Sequence, residues 1–231
     1  MWVRPRWAQV SAYLGASSAD LSSILAVARA RERAAKFRVT NVRFVQGDPA
    51  KMHFDGEFDA VVGRLVLMYY PEPTVTVARL AKHVRTGDIL VFQELDEENC
   101  KSLPRAPLFE RAIGWVKSAL ELSGAHAQMG LKLHATFVAA GLPAPRQRLD
   151  AVVGGGPKCP VYQHIAEGVE SLLPTLEELG VTTREEVQPE TLAQRICDQV
   201  VKINGAVVSL GMVGAWTHKP ATFGKLARAN E

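Results

Sequence analysis

Cysteine is scarce in this 231-residue sequence: Cys100, Cys159 and Cys197 are odd in number, far apart and free of any C-x-x-C spacing. They read as buried or idle thiols in a reducing compartment, and a disulfide framework or zinc site is disfavoured. No apolar run approaches the roughly 18 residues of a membrane span, so no membrane partner is expected. A basic block is missing too. The 27 Lys and Arg against 24 Asp and Glu leave +3, whereas nucleic-acid binding calls for clustered positive charge, so no nucleic acid is expected as the main partner. The six histidines, His53, His83, His126, His134, His164 and His218, include no H-x-x-x-H or H-x-E spacing, and no metal is expected. No internal repeat or low-complexity segment is visible. Arg4 and Arg6 precede the first acid, Asp20, a faint transit-sequence pattern, and residues 11–15 are too mixed for a secretory core. A cytoplasmic protein is expected.

What the sequence does have is concentrated in residues 41–96, which read as strand, acidic turn, strand, helix, strand. Residues 41–48 are β-rich and stop at Gly47-Asp48. Residues 57–64 are apolar on both faces and end at Gly63-Arg64, and residues 89–96 run Ile-Leu-Val-Phe-Gln-Glu-Leu-Asp. Between the last two, Val75, Val77, Ala78, Leu80, Ala81 and Val84 follow a helical period. Doubly apolar strands separated by a helix predict an α/β fold, a Rossmann-like, mostly parallel sheet with helices on both faces. Ligands of such sheets bind beyond the carboxyl ends of the strands. Gly47-Asp48, Gly63-Arg64 and Gln93-Glu94 fall there.

Around this centre, Ser22 or Ser23 caps a helix carrying Ile24, Leu25, Ala28, Ala34 and Ala35 on one face. Further helices are predicted over residues 104–123, 131–140, 161–179 and 191–204, with strands over 145–153 and 205–218. The length suits a single domain over 1–231, with an atypical N-terminal segment, 1–19. Residues 97–130 and 154–204 are read as helical lid and substrate segments.

Asp20-Leu-Ser-Ser with the helix after it, Asn41-Val-Arg-Phe-Val-Gln-Gly-Asp48, Phe54-Asp-Gly-Glu-Phe-Asp-Ala-Val-Val62, Gly63-Arg64-Leu-Val-Leu-Met-Tyr69 and Leu90-Val-Phe-Gln-Glu94 come in one order with fitting gaps. In this the chain resembles class I S-adenosylmethionine-dependent methyltransferases, closely over residues 20–96 and more loosely beyond. The resemblance implies S-adenosylmethionine as cofactor and a small organic acceptor. It implies that Asp20 holds the ribose, Asp48 the adenine amino group beside Gly47 and Pro49, and Gly63 and Arg64 the methionine end. It also implies that the last two strands form an antiparallel edge hairpin.

Two departures matter. The family's acid-x-Gly-x-Gly-x-Gly turn is absent, and Gly154-Gly155-Gly156 is no substitute because Pro157 follows with no helix start to cradle a ligand. A glycine turn normally lies about 20 residues before the ribose acid, and only 19 residues precede Asp20 here. The family's central first strand is therefore replaced by residues 8–15, or the sheet lacks its usual order, or another chain completes it, which makes a homodimer worth testing. Second, Pro49 offers no backbone N–H to adenine.

Methyl transfer from a sulfonium needs alignment above all, and a base only where the acceptor must lose a proton. The candidate catalytic groups are Glu94, His126 and His164. Glu94 has an equal alternative, a salt bridge to Arg64 or to a lid arginine. His83 is read as topping a helix C-terminus. Tyr69, Tyr70, Trp115 and Tyr162 either wall an aromatic pocket or fill the core, the commoner use at helical spacing. Competing readings are a catalytically inactive relative kept as a binding or partner subunit, and a truncated form of a longer enzyme. A nicotinamide-dependent dehydrogenase is disfavoured, since it too needs a glycine-rich turn.

Overall fold

The computed structural model describes residues 10–12, 21–54 and 56–224. The chain divides into two compact units, Met1–Glu57 and Phe58–Glu231. The first unit comprises strand β1 (Val10–Ala12), helix α1 (Leu21–Lys36) and strand β2 (Val42–Phe44). Alanines and arginines, all strong helix formers, carry α1. The helix returns the chain so that β1 pairs with β2 in parallel, Val10 opposite Val42. Arg31 reaches from α1 to the Phe44 carbonyl at 2.9 Å. Of the predicted 8–15 strand, residues 10–12 form this pair in a two-stranded sheet. The rest of that stretch lies outside the described residues.

The second unit opens with β3 (Phe58–Arg64), a single 3-10 turn (Leu67–Tyr69), helix α2 (Pro73–Lys82) and the long strand β4 (Val84–Asp96). Next come β5 (Lys101–Leu103), helices α3 (Pro107–Leu122) and α4 (Met129–Ala139), and strands β6 (Arg146–Asp150) and β7 (Val153–Gly155). Helices α5 (Val161–Glu178), α6 (Arg184–Val187) and α7 (Pro189–Lys202) precede the closing strands β8 (Ala206–Val208) and β9 (Gly211–His218).

A four-stranded sheet in the order β3-β4-β9-β6 is the frame. β3 and β4 run parallel, while β9 is antiparallel to both β4 and β6. The antiparallel β6–β9 pair at the sheet edge is the expected hairpin arrangement. The sheet is nevertheless mixed rather than mostly parallel: of its three strand pairs one is parallel and two are antiparallel. A strand buried on both faces carries the same apolar pattern whichever way it runs, so composition did not reveal the direction of β9.

The single closing strand expected over 205–218 is broken at Ser209-Leu210. There Ser209 exchanges bonds with Val152, its amide donating to the Val152 carbonyl and its hydroxyl accepting from the Val152 amide, both 2.9 Å. Upstream of the break, β8 leaves for a small antiparallel sheet, β5-β8-β7. β4 begins earlier than expected because Gly87, at φ +89°, lets residues 85–88 bulge between two stretches of β3 pairing.

The core lies between this sheet and its helices. Phe92 of β4 meets Phe137 of α4 edge to face, centroids 5.9 Å apart. α3, α5 and α7 pack on one another through Phe109, Ile165, Leu192 and Ile196, all fully buried. Residues 97–130 and 154–204 are thus largely helical, with the short strands β5 and β7 as additions. No helix among the described residues is long and apolar enough to cross a membrane.

Candidate functional site

The parallel strands β3 and β4 end side by side, Arg64 in register with Gln93. Side chains on a strand alternate between faces, so Arg64 meets Gln93 and not its neighbour Glu94. The Arg64 Nε–H donates to Gln93 Oε1 at 3.0 Å, and the alternative Arg64–Glu94 salt bridge does not form. Glu94 turns to the other face and is fully buried. Its carboxylate accepts the backbone amides of Val66 (3.0 Å), Leu67 (2.8 Å) and Met68 (3.3 Å).

This explains the segment after β3. Leu65 sits in the left-handed region at φ +52°, where a bulky residue is strained unless its surroundings hold it. The next three amides point inward and form an anion nest around Glu94. Burial pushes the Glu94 carboxyl above the ordinary range, and the amides of Leu67, Val66 and Met68 pull it part of the way back. Tyr69, half exposed, is raised as well, first by burial and then by the Glu94 charge. Glu94 therefore holds the Arg64–Tyr69 turn in place.

Two residues further on, Asp96 is fully buried and accepts the Asn99 side-chain amide at 2.6 Å and the Glu98 backbone amide at 3.2 Å. Glu97, also buried, faces Lys117 Nζ at 3.1 Å. Cys100 beside it is pushed up to about 12, by burial first and the Glu97 charge second.

Gly63 has a packing reason to be glycine. A β-carbon there would lie 2.5 Å from the Phe92 ring across the β3–β4 pair. Gly47, in the first unit, sits at φ +146°, and a β-carbon would come within 2.8 Å of the Met52 sulfur. Asp48 and Pro49 open a turn, with Asp48 at its first position and proline at its second, both favoured there. Its carbonyl accepts the Lys51 amide and its Oδ1 the Ala50 amide, both 2.9 Å, while Oδ2 faces Lys51 Nζ at 3.4 Å. Asp20 lies outside the described residues.

The backbone amide of His126 donates to the Met68 carbonyl at 2.8 Å, which fixes it beside the Glu94-held turn. Its Nε2 is buried with no hydrogen-bond partner among the described residues. His164 is exposed on the first turns of α5 and lines a cavity of about 490 Å³. That cavity also takes in Gln93, Asp150, Ser209, Leu210 and Met212. Apart from Gln93, these lining residues escaped sequence reasoning because they come from parts of the chain far apart in sequence. Only the place of Gln93 at a strand tip signalled it.

The aromatic candidates are mostly core. Tyr70, Trp115 and Tyr162 are buried, and the Tyr162 hydroxyl donates to the Gly155 carbonyl at 3.3 Å. His83 is the C-cap of α2, as its position late in that helix implied.

Among solved structures, a putative methyltransferase from Bacillus halodurans is 15% identical, covering 92% of this chain and 84% of its own, with a TM-score of 0.53. The YcgJ protein of Bacillus subtilis is 16% identical over 87% of this chain and 80% of its own, at 0.52. At such identities the likeness is one of fold. No curated protein matches the sequence. The model of the methyltransferase domain matches residues 23–140, just over half of the chain and inclusive of β3, the Glu94-held turn and β4, and the chain accordingly belongs to the methyltransferase-domain family that its sequence landmarks resemble.

Proposed function

We propose that the protein transfers a methyl group from S-adenosylmethionine to a small organic acceptor, in a Rossmann-like domain whose helical segments 97–130 and 154–204 act as a lid. The observation that carries this reading is the place of Gln93. It accepts from Arg64 at the tip of β3 and also lines the 490 Å³ cavity, so the expected methionine end and a space for an acceptor meet at one residue. Arg64 is exposed and gives only Nε to Gln93. Its terminal guanidinium nitrogens suit a carboxylate such as that of the cofactor's methionine part. When bound, the cofactor supplies an electrophilic methyl on a sulfonium. The chain's own residues supply alignment and exclusion of water.

Calorimetric titration with S-adenosylmethionine and its demethylated product tests this. Binding weaker than micromolar is expected, since the glycine-rich turn is missing, and it should weaken in Asp20→Ala, Asp48→Ala and Arg64→Ala. Tight binding unaffected by Asp20→Ala would refute the ribose contact. A second reading is a catalytically inactive relative serving as a binding or partner subunit. Complete failure to bind either compound would select it.

A further inference from the structure

The two faces of the four-stranded sheet are covered unequally. Along β4, Leu90, Phe92 and Glu94 are buried while Ile89, Val91 and Gln93 are only half-buried. Along β9, Val213, Ala215 and Thr217 are buried while Met212, Gly214 and Trp216 are again half-buried. The buried set lies under α2 and α4. The other set belongs to the opposite face, because side chains alternate along a strand and cross-strand neighbours share a side. On that face Val62, Val91, Trp216 and Arg146 stand in one register row, one residue from each strand. Val62, at the β3 edge, is 72% exposed.

Charge frames this row. The Arg146 guanidinium lies over the Trp216 ring, 5.6 Å from its centroid, and has no hydrogen bond or ion pair among the described residues. Stacking uses one face of the guanidinium and leaves its N–H edge free for a carboxylate. The next row is Arg64, Gln93, Gly214 and Arg148. Arg148 is balanced by Asp150 at 2.9 Å, so Arg64 on one flank and Arg146 on the other carry the net charge. Between them Gly214 leaves a dent, where a β-carbon would meet nothing nearer than the Arg148 carbonyl at 3.9 Å.

Two copies of this face would set arginine flank against arginine flank, which opposes an isologous dimer. A partner with an apolar stripe and acidic flanks matches both the row and its frame. We infer that the open sheet face is a docking surface for an amphipathic helix of an acidic protein. Its apolar stripe lies on Val62, Val91 and Trp216, one side chain fills the dent at Gly214, and a flanking carboxylate meets Arg146. The four strands span about 14 Å, which two to three helical turns cover, and a contact of that size belongs with weak, transient interfaces. The inference does not rest on the methyltransferase reading.

The probe is a synthetic peptide of about 15 residues, long enough to hold a helix, with leucine along one helical face and glutamate on its flanks. A lysine-flanked twin and a scrambled glutamate peptide are the controls. Titration of the full chain is followed by nuclear magnetic resonance of the Trp216 indole N–H, assigned with Trp216→Phe. The glutamate-flanked helix should shift that signal saturably and bind at least about tenfold more tightly than either control, in keeping with charge complementarity. Val62→Asp and Arg146→Glu, both at exposed positions, should each weaken it by about tenfold or more, and Arg146→Glu should also strengthen binding of the lysine-flanked twin. Should Val62→Asp unfold, Arg146→Glu decides alone. Equal binding of the scrambled or lysine-flanked peptide overturns the inference, as does an unshifted Trp216 signal. So does tighter engagement of the same face by polyuridylate or by vesicles of phosphatidylcholine and phosphatidylserine. A dimer in analytical ultracentrifugation that Val62→Asp dissociates would assign the face to a second copy and overturn it too.

Discussion

The two ends of β4 differ sharply in how they treat charge. At the amino end the charged groups are at the surface: Arg85 pairs with Asp59, both substantially exposed, and Lys219 caps the Lys82 and Val84 carbonyls with its ammonium at the sheet margin. At the carboxyl end three carboxylates, Glu94, Asp96 and Glu97, are buried; Glu94 and Asp96 hold the segments after β3 and β4, and Glu97 faces Lys117 of α3. Burying a carboxylate is costly unless donors surround it. Among the described residues, Glu94 and Asp96 bear that expense where the chain must hold an irregular segment in one shape, and those segments lie at the end where parallel strands place their ligands.

Substitutions at the two ends should reproduce the contrast. Glu94→Ala strands three backbone amides in the interior, at roughly 1–3 kcal/mol for each unpaired buried group. A loss of at least about 3 kcal/mol in urea unfolding is therefore expected, and a loss below about 1 kcal/mol would mean that the turn holds itself. Gly63→Ala drives a methyl group into the Phe92 ring and should cost about 1–3 kcal/mol, the usual range for overpacking; thermal unfolding reads it directly.

The raised Glu94 carboxyl gives a smaller effect with a definite sign. Because the folded protein holds that proton more tightly than the unfolded chain, the contribution of Glu94 is greatest below the ordinary carboxylate pKa. It declines as pH rises from there through the raised folded-state value. Urea midpoints compared between wild type and Glu94→Gln across that window should differ in slope, and parallel curves would remove Glu94 as the cause. At the opposite end Arg85→Ala should change stability by less than about 0.5 kcal/mol, in keeping with an exposed ion pair. A loss as large as that of Glu94→Ala would erase the distinction between the two ends.

Much of the second unit was legible beforehand. The helices over 161–178 and 189–202 fall within one or two residues of their apolar periods, and β3 and β6 come out close to the stretches that signalled them. The site was less legible. Glu94 and Arg64 were both singled out, but their partners were not, because partnership depends on which face of a strand a residue occupies once register is set. Gly63 carried a glycine signal whose visible cause is the ring of a residue 29 positions away. Such a contact has no local signature.

By itself the sequence determined the element types, the family and the clustering of polar residues at strand tips. Each follows from periodicity or from order along the chain, which are local properties. Only the tertiary structure decided that β9 runs against β4, that Glu94 serves a backbone nest rather than an arginine, and that His164 looks onto a cavity shared with Gln93. Direction, facing and enclosure arise when distant segments pack, and one-dimensional spacing does not encode them.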